Sequence, residues 1–172
     1  MRDKMKKLQT LKKAGIDIFL SHSSMDKKIA GLLIDLIIIA LNILPDKIRC
    51  TSIPGFKPDA GANFDLQLRR EIARSKIFIC ILTPASISSA WVLIETGVRM
   101  GANKLMIPLI SSQHGAALLE GPLKNIQCLN ICHEEEIYQF IEQLASELGI
   151  QPAPPAVYAY KVKELAALAR KS

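Results

Sequence analysis

The sequence predicts an α/β fold, with a parallel sheet covered by helices on both faces. Three observations predict it. Five short apolar runs of strand length alternate with stretches of helical character. These runs are nearly continuous in apolar residues instead of alternating with polar ones, as in strands buried on both sides. At 172 residues, with 49% apolar and 22% charged residues, the chain has room for one ordinary domain and a short tail.

The elements follow in order. Residues Ile16 to Leu20 form the first strand signal, and Ser21-His22-Ser23-Ser24 a loop able to cap a helix. A helix is expected from Asp26 to Leu44, broken by Pro45-Asp46. Lys47 to Thr51 reads as the second strand, and Ser52 to Gly61 as a Pro- and Gly-containing loop. Asn63 to Arg74 is helical, with Phe64, Leu66, Leu68 and Ile72 as its apolar positions. Lys76 to Leu82 is the third strand and ends at Thr83-Pro84. Ala90 to Ala102 is helical. Leu105 to Ile110 is the fourth strand, where Pro108 suggests an edge or an end. Ile126 to Ile131 is the fifth strand, and Glu134 to Leu148 a helix closed by Gly149. Segment 1–14 is basic, 15–149 is the domain, 150–156 a Pro-rich linker and 157–172 an amphipathic tail helix.

The stretch Ile29 to Leu44 (IAGLLIDLIIIALNIL) is apolar nearly all round, so it must be covered on more than one side. Either the tail helix or a second subunit could cover it. It is too short, and too interrupted by Asp35 and Asn42, to span a bilayer comfortably.

The formal charge of +6 sits at the ends of the chain. Residues 1–14 hold six Lys/Arg against one Asp, and residues 157–172 four against one Glu, so the part between is slightly acidic. Basic ends of this kind aid solubility, and binding to nucleic acid is not expected. The N-terminus lacks the apolar run of a signal peptide. Cys50, Cys80, Cys128 and Cys132 have poor zinc spacing and suit reduced, mostly buried thiols of a cytoplasmic protein. His22, His114 and His133 show no metal spacing either.

Common nucleotide and hydrolase motifs are absent. No G-x-G-x-x-G follows a strand, and there is neither a GxxxxGK[ST] nor a G-x-S-x-G. No acidic cluster follows the first strand, against a phospho-receiver.

Three motifs in order carry a family resemblance. Ile18–Lys27 (IFLSHSSMDK) resembles the first strand and following loop of bacterial TIR (Toll/interleukin-1 receptor) domains. Ile53-Pro54-Gly55 stands where those domains place their BB loop. Lys76–Gly97 (KIFICILTPASISSAWVLIETG) resembles their block of strand, Ser/Thr-Pro, an aromatic or Cys, then Glu. The resemblance covers residues 16–148. It implies a flavodoxin-like, three-layer fold with a five-stranded parallel sheet. In enzymatic members it implies cleavage of NAD, the substrate, with no further cofactor and no metal. It maps the essential acid onto Glu95, the aromatic four residues earlier onto Trp91, and NAD contacts onto Ser21, His22 and Ser52. It makes Ile53–Phe56 a lid and a contact between copies, alongside the Ile29–Leu44 helix. The chain departs from the pattern after the second strand. Many enzymatic members carry an aromatic and an acid there, whereas this chain reads Cys50-Thr51-Ser52, with no acid until Asp59.

The residues themselves add a physical argument. Trp91 and Glu95 are at i and i+4, so on a helix they share a face. Breaking the nicotinamide–ribose bond builds positive charge on the ribose, as in glycoside hydrolysis. A carboxylate beside that ribose can bind its hydroxyls and stabilise the cation. Nicotinamide leaves neutral, so no strong general acid is needed and one Glu suffices. Read without the resemblance, Glu95 is a surface carboxylate and Trp91 a core aromatic. The functions in competition are an NAD glycohydrolase or cyclase in bacterial immune signalling, a non-catalytic TIR adaptor that only assembles, and a nucleoside-processing enzyme of related fold.

Overall fold

The computed structural model describes residues 15–53, 64–111 and 123–171. The basic segment 1–14, most of the Ile53–Phe56 loop, Asp59 and His114 lie outside the described residues. The strands are β1 (Ile18–Ser21), β2 (Ile48–Arg49), β3 (Ile77–Leu82), β4 (Met106–Ile110) and β5 (Leu129–Asn130). They form one sheet in the order β2-β1-β3-β4-β5, every pair parallel. The helices are α1 (Lys27–Leu41), α2 (Phe64–Arg74), α3 (Pro84–Ile87), α4 (Ala90–Gly101), α5 (Glu134–Leu148) and α6 (Pro155–Ala169). This is the flavodoxin-like arrangement that the sequence led us to expect. Among the described residues no helix is long and apolar enough to cross a membrane.

Alternation along the strands divides the core in two. Ile18, Leu20, Ile77, Ile79, Ile81, Ile107 and Leu109 face α1 and α5. Phe19, Phe78, Cys80, Leu82 and Ile110 face the other way, onto Leu68 and Ile72 of α2 and Val92 of α4. Phe19 and Phe78 stack at 5.6 Å between ring centroids, across the register pair that joins β1 to β3.

The apolar helix finds its cover within the chain. α6 lies over α1 and α5 and buries Tyr158, Val162, Leu165, Ala166 and Ala169. Its approach is pinned where Ala153 N–H donates to the Ala40 carbonyl at 2.7 Å. Tyr158 meets Tyr138 of α5 at 5.7 Å, and Lys161 reaches Asp35 of α1 at 3.5 Å. Of the two covers that the composition of α1 allowed, the tail helix is the one observed.

Boundaries differ from expectation where local chemistry intervenes. α1 stops at Leu41, not Leu44, because Asn42 adopts the left-handed conformation (φ 49°) that ends helices. β2 and β5 keep only two residues each, since edge strands are paired on one side alone. β4 is not an edge strand, but pairing with β5 begins at Leu109, one residue after Pro108, so no ladder bond on that side needs the missing N–H. Leu66, expected in the apolar stripe of α2, is exposed; Leu68 and Ile72, one turn apart, carry the packing.

Candidate active site

In an open parallel sheet, ligands bind beyond the carboxyl ends of the strands where the strand order reverses. That point here lies between β1 and β3, since β2 sits on one side of β1 and β3, β4 and β5 on the other. Three chain segments build it. β1 ends on Ser21, and His22-Ser23 lead into a 3₁₀ turn over Ser24–Asp26, capped by the Ser23 hydroxyl. β3 ends at Leu82, and Thr83 caps α3 through a reciprocal box with Ser86, with Pro84 in the first turn where no N–H is needed. Ser89 then caps α4. The Thr83 hydroxyl donates to Asp26 Oδ2 at 2.8 Å and ties the first two segments across the switch point.

Glu95 sits in the second turn of α4 and is only 3% exposed. The Ser21 hydroxyl donates to its Oε2 at 2.5 Å. Its other oxygen, Oε1, is buried and has no hydrogen-bond partner among the described residues. Burial raises the Glu95 pKa from the ordinary carboxylate range to about 7, and the Ser21 bond only partly offsets this. The result is a carboxyl poised between its two forms at neutral pH, with one oxygen held and the other uncommitted.

His22 follows Ser21 in the chain and is 8% exposed. Its Nε2 is 2.5 Å from the Ser52 hydroxyl and its Nδ1 3.6 Å from Cys50 Sγ. Burial lowers its pKa to about 4, so the ring is neutral at pH 7. It braces the chain after β2 against the loop after β1. Burial also pushes the Cys50 thiol up to about 11 and the Cys80 thiol to about 12, so neither is a ready thiolate. All four cysteines are free, and Cys50, Cys80 and Cys132 are buried.

Ser21, His22, Ser52, Cys50 and Glu95 thus gather beyond the carboxyl ends of β1 and β2, linked by the Ser21–Glu95, His22–Ser52 and His22–Cys50 contacts. Ser21 spends its hydroxyl on Glu95, and Ser52 meets His22. Trp91, in the first turn of the Glu95 helix, is 41% exposed. Both plain readings of the pair are therefore reversed: the carboxylate is buried and the indole is half open. Two residues at the site escaped sequence reasoning. Asp26 reads as an ordinary residue before a helix, and Thr83 as a strand terminator; only their contact across 57 positions reveals the clasp.

Arg99 positions the helix that carries Glu95. It is fully buried, and its guanidinium donates to the carbonyls of Ile72, Ser75, Lys76 and Leu105 at 2.6–2.9 Å. It thereby caps the carboxyl end of α2 and holds the entrances to β3 and β4. Among the described residues no group of three or more His, Cys, Asp or Glu could hold a metal ion. A groove of about 650 Å³ beside the β1 loop is lined by Ser24, Met25, Lys27, Lys28, Gly31 and Ile53. A second cavity, of about 570 Å³, lies in the seam of α1 and α6, away from Glu95.

Fold and site together define a doubly wound α/β domain with a buried glutamate bound to the end of β1 at the switch point. The family model of the TIR domain matches residues 18–145, most of the chain, and the chain belongs to that family. No curated protein matches the sequence.

Proposed function

We propose that this TIR domain cleaves NAD at the nicotinamide–ribose bond, with Glu95 as the catalytic residue. The observation that carries the reading is the asymmetry of Glu95: Oε2 is held by Ser21, while Oε1 is buried at the switch point with no partner among the described residues. A buried polar atom without a partner is costly, and a ribose hydroxyl would satisfy it. In its ionised form, in a dry site, the carboxylate stabilises the ribosyl cation more strongly than it would in water. The departing nicotinamide takes the bonding electron pair and leaves neutral. Water then gives ADP-ribose, and a nucleophile of the same molecule gives a cyclic isomer. In this reading Ser52, with His22, and Trp91 border the substrate. A role in bacterial immune signalling, in the cytoplasm, fits this chemistry.

The test is nicotinamide release from NAD by concentrated protein, set against Glu95→Gln. Glu95→Gln should lower the rate by at least about a hundredfold, the usual cost of removing a preorganised electrostatic group. Equal release by both proteins would rule out the assignment. The mass of the nucleotide product separates hydrolysis from cyclisation. A second reading, an adaptor that acts only by assembly, draws support from the apolar side chains Leu93, Ile94 and Met100 exposed on α4. Absence of release at every protein concentration would favour it.

A further inference from the structure

Ser52 differs from the other serines of the switch point in what its hydroxyl meets. Ser21 donates to Glu95, and the hydroxyls of Ser23, Ser86 and Ser89 cap helical turns. Ser52 lies half-buried in the turn after β2, with its hydroxyl 2.5 Å from His22 Nε2. The Leu20 carbonyl accepts from the His22 ring. A neutral imidazole has one N–H, and spending it on Leu20 leaves Nε2 to accept the Ser52 proton. A nucleophile, a base and a group that orients the base therefore stand in line.

This pair is joined to Glu95 by two routes. His22 follows Ser21, the donor to Glu95 Oε2. Cys50 bonds to Ser52 and lies close enough to Glu95 for the carboxylate's charge to push the thiol up. The groove of about 650 Å³ begins at the next residue, Ile53, and carries Lys27 and Lys28. Lys27 is near enough to His22 for its charge to lower the ring's pKa. A groove of this size takes a nucleotide-sized ligand, and two ammonium groups suit its diphosphate. Burial keeps the His22 ring neutral, with its pKa lowered to about 4. Such a base is too weak to strip an alcohol of its proton in advance, as attack on an acyl group requires. An alcohol that adds to a ribosyl cation instead becomes an oxonium, far more acidic than an imidazolium, and yields its proton to a weak base. A neutral, weakly basic partner is therefore matched to the trapping of a cation.

We propose that Ser52, with His22 as its base, captures the ADP-ribosyl group of NAD, so that the chain modifies itself on this hydroxyl. The capture rests on the cleavage of NAD at Glu95 proposed above. The bond from the ribose C1′ to the nicotinamide nitrogen breaks, and nicotinamide leaves with the electron pair. A lone pair of Ser52 Oγ forms the new C1′–O bond. The hydroxyl proton passes to His22 Nε2 and from there to water. The product is an acetal, and expelling serine from it requires an alkoxide as leaving group, so the adduct persists at neutral pH.

Incubating the full chain with NAD tests this, with nicotinamide release and peptide mass mapping read from the same sample. The wild type should gain one ADP-ribosyl group on Ser52, stable to neutral hydroxylamine, which frees the group from a carboxylate ester. Ser52→Ala should lose the adduct, and Ser52→Thr, which keeps the hydroxyl, should retain it. His22→Gln, which keeps an acceptor but not the base, should slow adduct formation by about a hundredfold, the lower end of what a positioned base contributes. Circular dichroism should confirm that each variant is folded. Glu95→Gln should lose release and adduct together. Nicotinamide release with no adduct on Ser52 would overturn the capture and leave the Glu95 reading standing, whereas no release at all would remove both. An adduct on another residue, one that hydroxylamine removes, or one that free ADP-ribose produces equally well would also overturn it.

Discussion

Glu95, which accepts from Ser21, and His22, the residue after Ser21, respond to burial in opposite directions. Glu95 is about 7 in the fold against 4.5 as its ordinary value, so the folded state holds its proton more tightly. That contribution to stability is fully present below pH 4.5 and is lost as pH rises through about 7. His22 is about 4 against 6.5, so its contribution is present above pH 6.5 and is lost as pH falls through about 4. Between pH 4.5 and 6.5 the two slopes oppose. Replacing Glu95 by Gln removes one of them. The variant should be more stable than wild type by about 3 kcal/mol at pH 8 and nearly equal to it at pH 4, from urea titrations at each pH. Its stability should fall on acidification from pH 6.5 to 4, where the wild type stays nearly flat. A wild-type-like pH dependence in Glu95→Gln would show that Glu95 ionises normally. Activity should respond in the complementary way. If the ionised carboxylate is the working form, kcat/KM for NAD rises with pH around 7. Ser21→Ala, which removes a donor to that carboxylate, should shift the midpoint upward, whereas a Ser21 that only touched NAD would change KM and leave the midpoint in place.

At the scale of the element, α4 is held from its buried side. Arg99 has no carboxylate partner among the described residues, yet its guanidinium is satisfied by four backbone carbonyls drawn from the end of α2 and from the segments entering β3 and β4. A flat, forked donor can reach all of them together; an ammonium cannot. Arg99→Lys should therefore lose most of the stability that Arg99→Ala loses, on the order of 3 kcal/mol, in thermal or chemical unfolding. If Lys restored wild-type stability, the fork geometry would not be what matters. Loosening α4 in this way should also reduce NAD cleavage without altering the chemistry of Glu95, because the helix sets where that carboxylate lies.

The whole molecule depends on α6 as a second cover over α1. Leu165 is fully buried against the apolar helix, so Leu165→Ala should cost about 2–5 kcal/mol, the range for a large-to-small change in a packed core. Deleting residues 150–172 should uncover the apolar surface of α1 and α5 that packs against α6 and produce a protein that aggregates or melts well below wild type, measured by light scattering and calorimetry. A deletion variant as soluble and stable as the full chain would show that the helix is dispensable.

What the sequence determined by itself was the part carried by periodicity and local chemistry. Five apolar runs alternating with helices were enough for a parallel, doubly covered sheet, because burial on both faces leaves an unbroken apolar pattern. Motif order pointed to the family, and spacing put Trp91 and Glu95 on one helix. The same reasoning showed that α1 needed a second cover but could not choose between the tail and another subunit, since either would satisfy the same composition. Only the tertiary structure decided that α6 fills that place. It alone turned Glu95 inward with one oxygen on Ser21, set the His22 ring against Ser52, and joined Asp26 to Thr83. These contacts link positions 30 to 74 residues apart in the chain. Single-residue patterns reach one or two turns of helix, and the environment that moves a pKa or orphans an oxygen is assembled from farther away.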